Sequence, residues 1–291
     1  MKNILVALDL STMDNKLIQA ASLFSQLFQA ESVKFLHVIP SFVMPAGVWT
    51  SPENILSSSY QINREVEGEM LKAIQPYFGG NHGVKCTVEV KEGKTSNIIE
   101  ASANESGTEL LIVGKKKTST HSGVAAKFVA RKTKSHVLFV NENADLEFNR
   151  LLVPIDFSQY SLKALDMAFS FQKTNPTAAI TALHVIDFPP KELYLTGQYG
   201  LLALDWKEKV RDMFGQFANK HKLDISNIKF EAIKNDDFDI SAQISHYAHQ
   251  NKADFILLGA KGHSGLDDLF LGSVTEKLVT AEAELPVLIV R

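Results

Sequence analysis

The sequence carries the same set of segments twice. LVALDLS at residues 5–11 returns as LVPIDFS at 152–158, 147 positions later, with Leu, Val, Asp and Ser in register. Leu36-His37-Val38-Ile39 returns as Leu183-His184-Val185-Ile186 at the same spacing. Leu111-Ile112-Val113-Gly114 matches Ile256-Leu257-Leu258-Gly259 at 145, and residues 122–140 lie without a gap on 272–290 at 150. Four blocks in one order at a nearly constant offset make the chain a duplicated domain. The polar segment 141–149, NENADLEFN, follows a strand-like run and reads as the join. The expected domains are 1–145 and 146–291, each long enough to bury its own core.

Each copy alternates short apolar runs with helical patterns. In the second copy strands are expected over 151–155, 178–186, 228–233, 255–259 and 287–290, and helices over 159–173, 204–222, 240–250 and 274–282. Ser158 is placed to cap the first of these helices. In the first copy strands fall at 3–8, 33–39, 84–91, 109–114 and 136–140, and helices at 12–29, 58–78, 96–106 and 123–134. The aromatic-bearing segments 41–57 and 187–203 read as loops. This alternation calls for a parallel sheet covered on both faces, joined by right-handed crossovers. In such open sheets ligands bind beyond the carboxyl ends of the strands, where the strand order switches. If the order is 3-2-1-4-5, Asp9 and Asp156, ending the first strands, neighbour Gly114 and Gly259, ending the fourth.

Composition narrows the function classes. Apolar residues at 45% and charged residues at 22% exclude a disordered chain or a disulfide-built miniprotein. A net charge of −3 asks for neither nucleic acid nor an anionic membrane. Cys86 has no second cysteine for an internal disulfide, which fits a reducing compartment. The run Ile4–Leu8 is too short for a signal peptide core, and no stretch reaches the length of a membrane span. The expectation is a soluble cytoplasmic protein.

Chemistry gathers after the fourth strand of the second copy. Gly259-Ala260-Lys261-Gly262, nine residues, then Gly272-Ser273-Val274-Thr275 gives the spacing G-x2-G-x9-G-[ST]. Glycines let the backbone turn sharply and approach a ligand with no Cβ in the way. The loop ends at a helix start, where free amides and the helix dipole favour an anion. Ser273 and Thr275 add hydroxyls, so the segment reads as a cradle for a triphosphate. It lacks the G-x4-G-K-[ST] frame of the common phosphate loop. Two plainer readings stand beside this one. Ser273-x-x-Glu276 also spells a capping box, and Asp156 could cap a helix or sit solvated at a strand end.

With these residues the sequence resembles the universal stress protein family, over nearly the whole chain and twice. The resemblance rests on LVPIDFS at 152–158, LHVID at 183–187, the glycine loop at 259–273 and PVLIV at 286–290. It implies two tandem Rossmann-like domains of the adenine nucleotide alpha hydrolase type. Each would be an open five-stranded parallel sheet of order 3-2-1-4-5 with helices on both faces. It also implies, in one branch, tightly held ATP, with or without Mg2+. Pro154 and Asp156 would lie at the adenosine end, and Val185 would meet adenine through its backbone. Gly259, Lys261, Gly262, Gly272, Ser273, Val274 and Thr275 would line ribose and phosphates. Single-domain relatives commonly pair through the last strand, so pairing of the two halves and a homodimer are expected.

The first copy departs from the pattern. Seven residues separate Gly114 from Ser122, against twelve between Gly259 and Gly272. Lys117 stands where Gly262 would, Ser122-Gly123 replaces Gly272-Ser273, and Ala125 replaces Thr275. ATP is not expected there in the same pose. Residues 115–141 hold seven Lys or Arg and no acid, whereas 260–290 hold two bases and five acids. That basic run is a solvated face or a rim for a different anion.

Other signals are structural by default. His246 and His249 make a poor metal pair without a further ligand. His37 and His184 suit packed or hydrogen-bonded positions, and Cys86 a small buried hydrophobe. Three functions compete: a nucleotide-binding regulatory protein of the stress response with slow or no hydrolysis, a phosphoryl- or nucleotidyl-transfer enzyme, and a nucleotide-free dimerising scaffold. Transfer chemistry needs metal-holding acids and a nucleophile. Asp156 alone does not supply that set, and Asp267 and Asp268 read as solvated.

Overall fold

A computed structural model describes residues 1–40, 52–80, 83–105, 107–115, 128–187, 206–235, 239–262, 271–280 and 285–291, with backbone only for 52–62. The chain divides into two compact units, Met1–Ala144 and Asp145–Arg291. Unit 1 runs β1 (Asn3–Leu8), α1 (Met13–Phe28), β2 (Ser32–Ile39), α2 (Pro52–Phe78), β3 (Lys85–Glu92), α3 (Thr95–Glu105), β4 (Leu110–Lys115) and β5 (His136–Asn141), with residues 128–132 helical before β5. Its strands lie in the order β3-β2-β1-β4-β5, all parallel, with Ile4 opposite both Val33 and Leu110.

Unit 2 repeats the plan with β6 (Arg150–Pro154), α4 (Gln159–Thr174), β7 (Ala179–Ile186), α5 (Trp206–His221), β8 (Ile228–Lys234), α6 (Ile240–Gln250), β9 (Phe255–Gly259), α7 (Ser273–Thr280) and β10 (Val287–Val290). Its order is β10-β9-β6-β7-β8, again parallel. The tandem α/β architecture read from the repeat is the observed one. No helix among the described residues is long and apolar enough to cross a membrane.

The central strands β1, β4, β6 and β9 are apolar in their interiors because both faces are covered; Leu5, Val6, Leu111 and Leu257 have no solvent exposure. An acid fixes where the first and fourth strands begin. In unit 2 the buried Asp254, just before β9, accepts the Asn149 and Arg150 amides at 3.0 and 2.8 Å. In unit 1 Glu109, at the matching place, accepts the Lys2 amide at 3.0 Å.

Three local expectations are corrected. Residues 52–57 are helical rather than loop, because α2 starts at Pro52. Proline is favoured at a first helical position, where its missing amide costs nothing. The segment 141–149 is not simply a solvated linker, since Ala144, Leu146 and Phe148 are buried. Phe148 takes φ 53° and packs its ring 4.5 Å from Phe255 and 5.9 Å from Phe171. Cys86 is half-buried, because β3 is the outer strand of its unit and pairs with β2.

Candidate functional site

In unit 2 the carboxyl ends of β6, β7 and β9 and the amino end of α7 surround a cavity of about 300 Å3. That lies at the lower end of the range for small-ligand pockets. Pro154, Asp156, Val185, Gly259, Lys261, Gly262, Gly272, Ser273, Val274 and Thr275 all line it, so the ten residues that the resemblance places around a nucleotide meet in one place.

The turn after β6 is built around Asp156. Its amide donates to Ser161 Oγ at 2.9 Å, and Ser161 Oγ donates in return to Asp156 Oδ1 at 2.5 Å. The Ser158 amide donates to the same Oδ1 at 3.0 Å. Ser158, not Asp156, caps α4, accepting the Ser161 amide at 3.2 Å. Phe157 between them is left-handed, φ 63°, and its ring lies 4.8 Å from the His184 ring. The matching Leu10 of unit 1 is left-handed as well, φ 59°.

The glycines divide by what surrounds them. A Cβ on Gly262 would run into Asp156 Oδ2. A Cβ on Gly259 would sit 2.8 Å from the backbone carbon and oxygen of Tyr160, in the first turn of α4, so this glycine also serves helix-on-strand packing. Gly272 passes close to the Gly262 loop, its amide donating to the Ala260 carbonyl at 2.8 Å.

The start of α7 differs from the capping-box reading. The Glu276 amide donates to the Gly272 carbonyl at 2.8 Å. Gly272 therefore holds the cap position and Ser273 stands inside the first turn. The amides of Ser273, Val274 and Thr275 are the ones that helix geometry leaves without intrahelical acceptors, and all three residues line the cavity. Thr275 Oγ1 donates to the Gly259 carbonyl at 2.9 Å, so its hydroxyl proton joins α7 to β9.

Lys261 is buried in the wall, its Nζ 5.8 Å from the centre of the Tyr160 ring. The lining also includes apolar residues, Ile155, Leu183, Leu258 and, from α6, Ile240 and Ile244. Asp239 caps α6 by accepting the Ser241 and Ala242 amides at 2.9 and 3.3 Å, and it pairs with Lys277 of α7 at 2.9 Å. The Ser241 hydroxyl and then Lys277 hold the Asp239 carboxyl below the usual carboxylate range. This pair ties the apolar wall to the helix whose amino end faces the cavity.

His184 also lines the cavity. Its Nδ1 lies 2.8 Å from the Ile155 carbonyl, which can only accept, so the Nδ1 proton is fixed there. Burial lowers its pKa. His37 makes the same bond to the Leu8 carbonyl at 3.0 Å. Ser161, His184, Ile240 and Ile244 were not singled out as site residues. The recurrence of His37 as His184 and the i, i+4 spacing of the isoleucines were the available signals. His246 and His249 are exposed on α6, and among the described residues no group of His, Cys, Asp and Glu could hold a metal.

The corresponding turn of unit 1 carries a second acid. Asp14 occupies the place of Ser161, and its carboxylate accepts the Asp9 amide at 3.1 Å and the Leu10 amide at 2.9 Å. Burial raises its pKa. Lys117, Ser122, Gly123 and Ala125 lie outside the described residues, as do Asp267 and Asp268.

The model of the universal stress protein family matches residues 1–141 and again 147–291. The chain belongs to this family. Universal stress protein MJ0531 of Methanocaldococcus jannaschii is 27% identical over 169 residues, 56% of this chain and 95% of that protein. Universal stress protein YxiE of Bacillus subtilis is 31% identical over 153 residues, 50% of this chain and 99% of its own length. A universal stress protein from Archaeoglobus fulgidus has a crystal structure that superposes over 99% of this chain and 98% of that one, with a TM-score of 0.68 at 19% identity, and so shares the fold. In this universal stress protein the motif residues of the second repeat come together around one cavity.

Proposed function

We propose that this universal stress protein is an adenine nucleotide-binding regulatory protein of the stress response, holding one ATP per chain in unit 2, with or without Mg2+. The observation that carries the reading is the mixed lining of the cavity, which joins apolar side chains to the amino end of α7. Among the lining residues the apolar Leu183, Ile240 and Ile244 suit a flat base. The first-turn amides of α7 and the buried Lys261 suit a polyanion. Gly262 keeps space open there, since a Cβ on it would run into Asp156 Oδ2, and a Cβ on Gly272 would come into contact with the Lys261 backbone. Asp156, also in the lining, suits the sugar hydroxyls.

Hydrolysis is slow or absent in this reading. Oδ1 of Asp156 is engaged by Ser158 and Ser161, and the Nδ1 proton of His184 by a carbonyl. Among the described residues neither is aimed as a base beside an acid pair of the kind that holds catalytic magnesium. Unit 1, with its shortened loop, does not hold ATP in this pose. Mass spectrometry of small molecules released from the purified chain is the test. One ATP per chain is expected, lost on replacing Gly272 with a bulky residue. An empty chain with millimolar ATP supplied, or two equivalents bound, would overturn the reading.

A further inference from the structure

We infer that the residue five positions after the first-strand aspartate sets which ligand charge each unit accepts: Ser161 makes unit 2 a polyanion site, and Asp14 closes unit 1 to polyanions. The inference rests on the nucleotide reading of unit 2 and deepens it.

Ser161 and Asp14 are equivalent, both following the repeated Asp-x-Ser turn at the same distance. Both support that turn in the same way. The Asp156 amide ends on Ser161 Oγ at 2.9 Å and the Asp9 amide ends on Asp14 Oδ1 at 3.1 Å. In both turns the following residue is left-handed, Phe157 at 63° and Leu10 at 59°. The backbone therefore accommodates either side chain; the two differ in charge and in hydrogen bonding, since Ser161 also donates to Asp156 Oδ1 and Asp14 also accepts the Leu10 amide. Ser161 is 3% exposed and lines the cavity, and its hydroxyl lets one carboxylate, Asp156, stand there with a neutral neighbour. Asp14 is 7% exposed and adds a carboxylate beside Asp9. Inside a protein, where screening is weak, like charges repel far more than in water. A second fixed anion at the wall opposes a triphosphate and leaves an uncharged nucleoside nearly unaffected.

The test compares Ser161→Asp with Ser161→Asn in the full chain, by calorimetry with ATP and with adenosine. The two variants share size; Asn keeps a hydrogen-bond donor that ionised Asp lacks, and the adenosine arm separates that difference from charge. S161D is expected to bind ATP at least about tenfold more weakly than S161N, while adenosine separates them by less than about threefold. Equal loss of ATP in both variants, or equal loss of ATP and adenosine in S161D, would overturn the inference. So would failure of S161D and S161E to fold while S161N folds, because Asp14 shows the turn carrying an acid. If wild type binds neither ligand, the nucleotide reading itself falls, an outcome distinct from these.

Discussion

Gly262 faces the Asp156 carboxylate at a separation that leaves no room for a side-chain carbon. The group in the way is the end of a side chain, which can turn aside, whereas Gly259 faces the Tyr160 backbone, which cannot. The two glycines of one motif therefore answer to different demands. Gly262→Ala should shift Asp156 and weaken ATP by at least about tenfold, roughly 1.4 kcal/mol, with a small change in stability. Gly259→Ala should cost about 1–3 kcal/mol of stability by overpacking β9 against α4. Paired urea melts and ATP titrations check both, and a G259A that melts like wild type would remove the packing role.

The shared left-handed turn gives an opposite pair of outcomes. A left-handed conformation costs a bulky residue about 1–3 kcal/mol, and asparagine tolerates it better. Leu10 is 48% exposed, so little packing offsets its strain. Leu10→Asn should stabilise unit 1 by about 0.5–1 kcal/mol. Phe157 packs on His184 and on Phe217, 5.7 Å away. Phe157→Asn should therefore destabilise unit 2 by about 2 kcal/mol despite relieving the same strain. Chemical denaturation of the two variants separates these outcomes.

Those turns show what the sequence could and could not convey. The repeat exposed the strand ends and the aspartates, because identical short words at a fixed offset leave few alternatives. The glycine spacing pointed to the cavity wall, because backbone crowding selects residue type directly. The left-handed Leu10 and Phe157 were hidden, since neither is a residue that advertises such a conformation. Ser161, Ile240 and Ile244 were hidden for another reason: their roles depend on elements brought together only by folding. Thr275 was visible as a hydroxyl, but the choice of the Gly259 carbonyl as its partner is a tertiary fact. The early start of α2 was written in Ser51-Pro52-Glu53, and apolar periodicity, weak there, masked it.

His184 makes the stability of unit 2 depend on pH. Burial is the main cause of its lowered pKa, only partly opposed by the Ile155 carbonyl and the Asp156 charge. The unfolded state, with a histidine pKa of about 6.5, therefore binds the proton more readily than the folded state. Stability from this group is fully present above about pH 6.5 and falls as the pH drops through the window below it. His184→Asn removes the titration, so its stability should fall less between pH 7.5 and pH 5.5 than that of wild type. Denaturant midpoints at the two pH values make the comparison. An unchanged slope in H184N would show that His184 titrates alike in both states.

Asp254 offers a stability change removed from the cavity. Its buried carboxylate receives the Asn149 and Arg150 amides at the start of β6, whereas the cavity lies at the opposite, carboxyl end of the strands. Asp254→Ala would leave both amides without their acceptor where water has little access. Unsatisfied groups of this kind cost about 1–3 kcal/mol, so a loss of about 2–3 kcal/mol is expected in unit 2. The ATP affinity of the folded fraction should stay at the wild-type value, because nothing lining the cavity touches the clamp. Glu109→Ala, at the equivalent place in unit 1, should cost less, since one amide rather than two ends on that half-exposed carboxylate. Urea melts read at two probes, one per unit, with ATP titration of D254A, check the ranking. Weaker ATP binding in D254A would show that the clamp end and the cavity end of β6 are coupled.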